Sequence, residues 1–507
     1  MTLSRILVAN RGEIALRIIR ACHEEGLEAV AVYSDADRLS PHVRAANDAV
    51  PIGPPAASES YLSIPKLIEA AKRTGCQAVH PGYGFLSERA VFAEAVATAG
   101  LVFVGPPAAA IRAMGDKTEA RRRMQAAGVP VVPGLTRSVS DAADARREAE
   151  RIGLPVLMKA VAGGGGKGMR VIRSLEDVSA ALQAARGEAE KAFGDGSVYL
   201  ERLVERPRHV EVQILADTRG RVVSLGEREC SIQRRHQKLI EESPSVAVSP
   251  ALRRRMGDAA TAAASAVGYV GAGTIEFLLT PDGEFHFLEM NTRIQVEHPV
   301  TEMVTGVDLV REQLRIADGQ PMRVAGGHLQ PRGHAIECRI TAEDPFNDFL
   351  PATGVVRYLR VPGGPNVRWD GGVEAGNEVT LYYDPLIAKL IVWGESREAA
   401  INRMRRSLRE LVIVGLPTSQ AFHLRVLDDT EFRRGEIDIE YLQRAGGRLL
   451  AEPIARPLMR PIAVVAALLA EERRTAGAVR APSPVSTPAG RWSPWQTEAR
   501  REGLRDW

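Results

Sequence analysis

Lysine is scarce in this chain of 507 residues: only eight of its 66 basic residues are lysine, leaving 58 arginines. Where plain positive charge suffices the chain uses arginine, so a remaining lysine is a candidate for work that needs a compact ammonium. Cysteine is scarcer. Cys22, Cys76, Cys230 and Cys338 are widely spaced and form no CxxC, which reads as reduced thiols of a cytoplasmic protein rather than a disulfide framework. No apolar run reaches bilayer length; the longest candidate, 462–470, is too short. The chain runs from Arg5 straight into a strand, with no signal-peptide pattern. A net charge of +3 offers no bulk argument for nucleic acid or membrane. No GxGxxG follows the first strand, so a dinucleotide site is not expected there. No GK[ST] opens a helix, which excludes a Walker P-loop. No internal repeat is visible.

What is present reads as a soluble protein of two to four domains, with 45% hydrophobic and 25% charged residues. The stretch 273–301, GTIEFLLTPDGEFHFLEMNTRIQVEHPVT, organises the rest. Two apolar runs flank Asp282-Gly283, a hairpin signal. A two-residue turn there sets Leu279 opposite His286, Phe277 opposite Leu288 and Glu276 opposite Glu289. Facing carboxylates repel. Their placement predicts cations between them, and oxygen ligands suit Mg²⁺ or Mn²⁺ shared with substrate phosphates. Beyond the pair, Glu289, Asn291, Arg293, Gln295 and Glu297 alternate with Met290, Thr292, Ile294 and Val296. An extended chain puts such a set on one face. Arg293 can clamp a small oxyanion. Glu297, at the end, is a candidate general base.

Taken in order, residues 6–9, the helix 14–25 and the strand 28–33 predict a parallel, doubly wound α/β unit, with further strands at 77–80 and 102–104. The segment HPGYGFLSE, 80–88, is a loop at a strand's C-terminal end, where open α/β sheets bind ligands. Lys117 precedes a helix at 119–127, and a domain boundary falls at 128–133. Residues 155–172 read as strand, glycine run, strand; the run, with Lys167, can fold over phosphates as a mobile flap, and Lys159 points at the same place. The strand 198–204 carries Glu201 towards a candidate adenine slot. The alternation in 208–217 predicts a half-buried strand with His209, Glu211 and Gln213 on one face. The cluster Gln233, Arg234, Arg235, His236 and Lys238 lies between apolar strands and reads as part of a site. Helices are expected at 250–267 and 302–317, and a third, α+β domain begins near Gly333 with the strand 334–340 that carries Arg339. Strands 355–360 and 387–393 and helix 397–410 follow; YYDP, 382–385, is a turn that could face the cleft. Residues 474–495 are rich in Ala, Pro and Ser and read as linker or tail.

Nine motifs occur in one order: ANRGEIALR, HPGYGFLSE, MGDK, GGGGKGM, RHVEVQ, QRRHQK, EMNTRIQVEHPVTE, RGHAIECRI and YYDP. Over residues 1 to about 446 the chain closely resembles biotin carboxylase, the ATP-grasp subunit or domain of biotin-dependent carboxylases. The resemblance implies a Rossmann-like N-terminal domain (1–115), an ATP-grasp domain (116–330) with a lid at about 134–203, an α+β C-terminal domain (331–447) and a tail (448–507). It implies that ATP and bicarbonate carboxylate the biotin of a separate carrier protein through carboxyphosphate, as the first half-reaction of an acyl-CoA carboxylase. The alternative is the corresponding part of a two-component pyruvate carboxylase. By position, Lys117, Lys159, Gly164, Gly165, Gly166, Glu201, Val204, His209, Gln233, His236 and Leu278 would bind ATP. Glu276 and Glu289, with Asn291 near, would hold two Mg²⁺ or Mn²⁺. Lys238, Arg293, Gln295 and the Val296 amide would hold bicarbonate, Glu297 would take its proton, and Arg339 would stabilise the biotin enolate.

The sequence departs from the family pattern at Arg202, where lysine is expected beside Glu201, and in its long tail. The tail's SPWQTEARREGLRDW resembles the region just after this domain in longer acyl-CoA carboxylase α-subunits, and its Trp492, Trp495 and Trp507 are candidate interface anchors. In the family, biotin is attached to a lysine between two methionines. No lysine here has that setting, so the carrier is expected as a separate partner beside a carboxyltransferase subunit, with a homodimer and no nucleic acid or membrane. Another ATP-grasp ligase is disfavoured by RIQVEHP and HPGYGFLSE, and a non-catalytic regulatory subunit by the complete set Glu276, Glu289, Arg293, Glu297 and Arg339.

Overall fold

The first apolar run, Arg5–Val8, is the central strand of a five-stranded parallel sheet. Across the sheet the order is Asp48–Gly53, Glu28–Ser34, Arg5–Val8, Ala78–His80 and Val102–Phe103. Such strands are apolar throughout because helices cover both faces. The helix Gly12–Glu24 buries Ile14, Ile18 and Ile19 in a cluster with Ile6 and Val8. The connections leave Arg5–Val8 in opposite directions along the sheet, the switch point at which ligand crevices form. There the Asn10 amide donates to the carbonyls of Pro81 and Tyr83, both at 2.7 Å, and fixes the loop 80–88. The computed structural model describes residues 3–161, 169–324, 329–451, 461 and 463–471, and of Phe193 the backbone alone.

The second sheet carries the site. Its eight antiparallel strands run Phe285–Asn291, Gly271–Leu279, Arg208–Ala216, Val222–Arg234, Gln237–Ser243, His334–Thr341, Leu386–Gly394 and Val367–Gly371. The strand expected to open a separate third domain therefore extends this sheet: Ile240, Glu241, Glu242 and Ser243 pair with Cys338, Glu337, Ile336 and Ala335. Residues Met1–Leu450 form one compact unit and Ala451–Trp507 a second. In the second, residues 463–471 are helical. The tail tryptophans and 474–495 lie outside the described residues.

A small third sheet, Arg170–Ile172, Val156–Ala160 and Val198–Arg202, is packed by the helices Ala142–Ile152 and Val178–Phe193. Its core, which includes Val156, Met158, Ile172, Leu182 and Leu200, draws only on residues between Leu135 and Leu200. Gly164, Gly165, Gly166 and the rest of the glycine run 163–168 lie outside the described residues.

Several expectations need correction. The strand Arg208–Ala216 is buried on both faces, not half-buried: Val210, Val212 and Ile214 cluster with Met256 and Ala260 of the helix Pro250–Ser265, and Glu211 and Gln213 on the other face find the buried Arg228. The helix expected at 302–317 is two, His298–Thr305 and Leu309–Ala317. Gly306, left-handed at φ +74°, ends the first, and the Asp308 side chain caps the second. The polar string 229–242 is a hairpin whose two-residue turn is Arg235 and His236, at φ +49° and +66°. The strand expected at 355–360 is two short pieces, Gly354–Val355 and Tyr358–Arg360. All four cysteines are free and buried. Among the described residues no helix is long and apolar enough to cross a membrane.

Candidate active site

Glu276 and Glu289 are direct cross-strand partners, as are Thr274 and Asn291. The register further out differs from expectation. Thr280 brackets a three-residue turn, its N–H donating to the Glu284 carbonyl at 2.8 Å, with Gly283 at φ +87°. Phe277 therefore faces Phe287 and Leu279 faces Phe285. An irregularity at Leu288, between the Phe277–Phe287 and Glu276–Glu289 pairs, removes the one-residue offset. The two carboxylates meet because two departures from the simple hairpin cancel.

After Asn291 the chain leaves the sheet, so the extended face expected through Glu297 is not a strand. Its polar side chains converge all the same. The amides of Asn291 and Gln295 donate to Glu276 Oε1 at 2.8 and 2.9 Å. Lys238 Nζ donates to Glu211 Oε2 at 2.6 Å, Glu276 Oε1 at 3.0 Å, Glu297 Oε1 at 2.6 Å and Gln295 Oε1 at 3.3 Å. One ammonium thus gathers three carboxylates, which explains why a lysine and not an arginine stands there. Its own pKa is pushed well above the ordinary value: burial opposes this, but Glu211, Glu276 and Glu297 outweigh burial.

The charge states of the acids differ. Burial would raise Glu276, yet Lys238 and then His209, 3.0 Å away, hold it well below the usual range. Burial would raise Glu297 too, but Lys238, Arg339 and Arg228 keep it ionised far below neutral pH. Glu289 is raised, first by burial and then by Glu276 opposite. Among the described residues no side chain bonds to Glu289.

Arg339 spans two carboxylates, donating from Nε to Glu241 Oε1 at 2.6 Å and from Nη2 to Glu297 Oε2 at 2.9 Å. Arg293 Nε donates to Glu88 Oε2 at 2.8 Å and Nη2 to Asn291 Oδ1 at 2.9 Å, tying the loop 80–88 to the site. The Val296 carbonyl accepts from the fully buried Lys389 at 2.9 Å.

One cavity of about 550 Å³ takes in every described residue that the family resemblance assigns to ATP, metal, bicarbonate or biotin. At one end are Lys117, Lys159, Glu201, Val204, His209, Gln233, His236 and Leu278; at the other Lys238, Glu276, Glu289, Asn291, Arg293, Gln295, Val296, Glu297 and Arg339. Lys159 forms an ion pair with Glu201, which Arg121 also contacts at 3.0 Å. Burial lowers the Lys117 pKa and also that of His236, for which Lys159 adds to the effect. Arg202 lines the cavity, as does Asp384 of the YYDP turn; Arg234 does not, and pairs with Asp348. The all-oxygen set of Glu276, Glu289 and Asn291, with one carboxylate lacking any described protein partner, fits a hard divalent cation.

Sequence reasoning missed Glu88, Arg228 and Glu241 as members of this network and gave Glu211 no role. Arg228 is fully buried and donates from Nε to Glu211 Oε1 at 2.5 Å and from Nη1 to Gln213 Oε1 at 2.6 Å. Only the register of the two consecutive strands, which shifts between Ser224 and Glu227, brings Arg228 opposite Glu211. The nearest signal was the His209, Glu211, Gln213 alternation, read as a half-exposed polar face; because that face is buried, Glu211 needs a cation beside it.

Comparison with known proteins follows the same outline. Residues 2–111 match the family described as "Biotin carboxylase, N-terminal domain", 116–325 "Carbamoyl-phosphate synthase L chain, ATP binding domain" and 337–444 "Biotin carboxylase C-terminal domain". The biotin carboxylase of Nostoc sp. is 55% identical over 443 residues, covering 87% of this chain and 99% of that protein. The biotin carboxylase of Haemophilus influenzae is 52% identical over 446 residues, covering 88% of this chain and 99% of that one. The biotin carboxylase domain dimer of the Hydrogenobacter thermophilus 2-oxoglutarate carboxylase, solved with MgADP, ADP and bicarbonate, superposes with a TM-score of 0.86 at 44% identity, covering 90% of this chain and 100% of that one. With half its residues shared along nearly the whole length of such relatives, the chain belongs to the biotin carboxylase family of ATP-dependent ligases.

Proposed function

We propose that this cavity carboxylates biotin presented by a separate carrier protein, using ATP and bicarbonate and leaving ADP and phosphate. The observation that carries the reading is Glu297, an ionised buried acid gripped by Lys238 at 2.6 Å and Arg339 at 2.9 Å, beside the facing pair Glu276 and Glu289. An acid held ionised by cations that a substrate anion can compete for is a base poised to be released.

Each residue takes a role that fits its surroundings. Lys117, Lys159, Glu201, Val204, His209, Gln233, His236 and Leu278 bind the nucleotide, the Lys159–Glu201 pair fixing the adenine end. Mg²⁺ or Mn²⁺ at Glu276, Glu289 and Asn291 would neutralise phosphate charge. Lys238, Arg293, Gln295 and the Val296 N–H hold bicarbonate. Glu297 takes its proton, and the freed oxygen attacks the γ-phosphoryl group. Arg339, charged at every working pH, offers Nη1 to the ureido oxygen of biotin as negative charge builds there. The domains run 1–115, 116–330 and 331–447, and the self-contained core at 135–200 moves as a lid. The carrier and a carboxyltransferase complete the enzyme, and the carboxyltransferase selects the final acceptor.

Phosphate release from ATP by the purified chain should require bicarbonate and rise with free biotin. Cleavage indifferent to bicarbonate would refute the reading, and an inert chain that still binds ATP would favour a regulatory role.

A further inference from the structure

Two fully buried carboxyls behind Arg339 belong to no role above. Glu241 on the strand Gln237–Ser243 and Glu337 on His334–Thr341 are direct cross-strand partners, and both have zero exposure. Among the described residues, Glu241 Oε2 and both Glu337 oxygens have no hydrogen-bond partner. Two ionised carboxylates cannot face each other in a dry interior, so such a pair keeps one proton. Geometry says which member keeps it. Glu241 Oε1 accepts from Arg339 Nε at 2.6 Å, whereas Glu337 has no donor among the described residues.

We propose that Glu241 is a positioning residue for Arg339, and that its deprotonation, with the shared proton kept on Glu337, switches on the biotin step. The proposal rests on the biotin-carboxylating reading of the cavity. With Glu241 ionised, the guanidinium is stretched between two carboxylates, Nε on Glu241 and Nη2 on Glu297, which leaves Nη1 for a ligand in the cavity that Arg339 lines. With Glu241 neutral, Glu297 is the only charged partner left to Arg339. The guanidinium then turns onto that acid, and both the base and the enolate donor are spent on each other.

The charges around the pair agree. On its own strand Glu241 has Lys238, committed to Glu211, Glu276 and Glu297. The strand His334–Thr341 contributes Arg339, Glu337 and the neutral thiol of Cys338; the strand Val222–Arg234 contributes the neutral thiol of Cys230. The loop before His298 contributes Glu297, and Leu386–Gly394 contributes Lys389, whose Nζ is held by the Val296 carbonyl at 2.9 Å and Glu13 at 3.1 Å. Burial lifts Glu241 to about 7 although Arg339 opposes it, and lifts Glu337 well above the carboxylate range. Glu297 stays ionised throughout this range. The loss of activity on the acid side therefore belongs to Glu241 and not to the base.

The test uses the full chain with ATP, Mg²⁺, bicarbonate and free biotin, with turnover followed from about pH 6 to about pH 9. The wild type should lose biotin-dependent kcat as pH falls through about 7. Glu241→Gln should lower that kcat roughly 10-fold or more at high pH, leave the KM for ATP within about twofold, and abolish the acid limb. Glu337→Gln, which mimics the protonated acid, should keep the limb. Wild-type kcat and limb in Glu241→Gln would overturn the proposal, as would a limb that disappears in Glu337→Gln. Should Glu241→Gln fail to fold, the limb of Glu337→Gln still decides. A wild type that binds ATP but never carboxylates biotin would instead sink the reading of the cavity, and this inference with it.

Discussion

Glu276 and Glu289 face each other across adjacent strands, and among the described residues only Glu276 is gripped by side chains, those of Lys238, Asn291 and Gln295. The asymmetry separates two effects of substitution. Glu289→Gln should lower kcat at least ~100-fold at saturating Mg²⁺, because a ligand that neutralises phosphate charge is lost. In metal-free buffer at neutral pH the same change should raise Tm by about 2 °C, since it removes a carboxylate that burial and Glu276 disfavour. Glu276→Gln should cost both activity and stability, because Lys238 and His209 lose a buried partner. Near-normal turnover in Glu289→Gln would sink the metal assignment, and a lower metal-free Tm would refute the repulsion.

Arg293 and Glu297 should part company when changed. Arg293→Ala removes the cation that ties Glu88 and Asn291 to the cavity, and carboxylation should vanish. Glu297→Gln keeps the shape but cannot take a proton, so the KM for ATP should stay within about threefold while the bicarbonate-dependent rate falls at least ~100-fold. Weakened ATP binding with intact turnover in Glu297→Gln would show that the residue holds nucleotide instead.

The segment 134–203 should close over nucleotide. Its sheet and helices share a core of their own, and the described ties to the rest include the Arg121–Glu201 ion pair and the bond from the Arg202 N–H to the Pro133 carbonyl at 2.7 Å. Amide exchange across 169–203 should slow when a non-hydrolysable ATP analogue saturates the site. Exchange identical with and without the analogue would rule out a moving lid.

The site was legible where function packs several charged residues into one short stretch. Glu276, Glu289, Asn291, Arg293, Gln295 and Glu297 lie within 22 residues, and all line the cavity. The register that joins the first two was reached through compensating deviations, a longer turn and an irregularity at Leu288, neither of which alternation alone can reveal. Arg228, Glu241 and Glu337 were illegible for another reason. Each meets its partner only through pairing between strands, and a buried charge inside an apolar run looks like any polar interruption until its neighbour is known. The α+β C-terminal domain was legible, and 337–444 matches such a domain; what alternation could not reveal is that its strand His334–Thr341 pairs with Gln237–Ser243 and so continues the central sheet.

That junction makes a prediction about acid stability. Glu242 is buried where the two strands pair, 2.7 Å from His334 Nε2 and 2.7 Å from Arg397 Nε, with Arg397 Nη2 at 3.1 Å. Burial would raise its pKa, but Arg397 and His334 overcome burial and bring it to about 2 from 4.5. A carboxylate depressed by folding stabilises the native state above its unfolded pKa, and the contribution fades as pH falls through the folded value. The difference corresponds to on the order of 3 kcal/mol at neutral pH. Glu242→Gln should therefore lower stability to urea by a comparable amount at pH ~7, and its deficit against wild type should shrink steadily as pH falls from ~5 towards ~2. The Arg397 side chain also donates to the carbonyls of Phe432 and Arg433, both at 2.8 Å, so Arg397→Met should destabilise more than Glu242→Gln while showing the same narrowing with acid. A deficit for Glu242→Gln that stays constant between pH ~7 and ~3 would mean that shape rather than ionisation holds the junction.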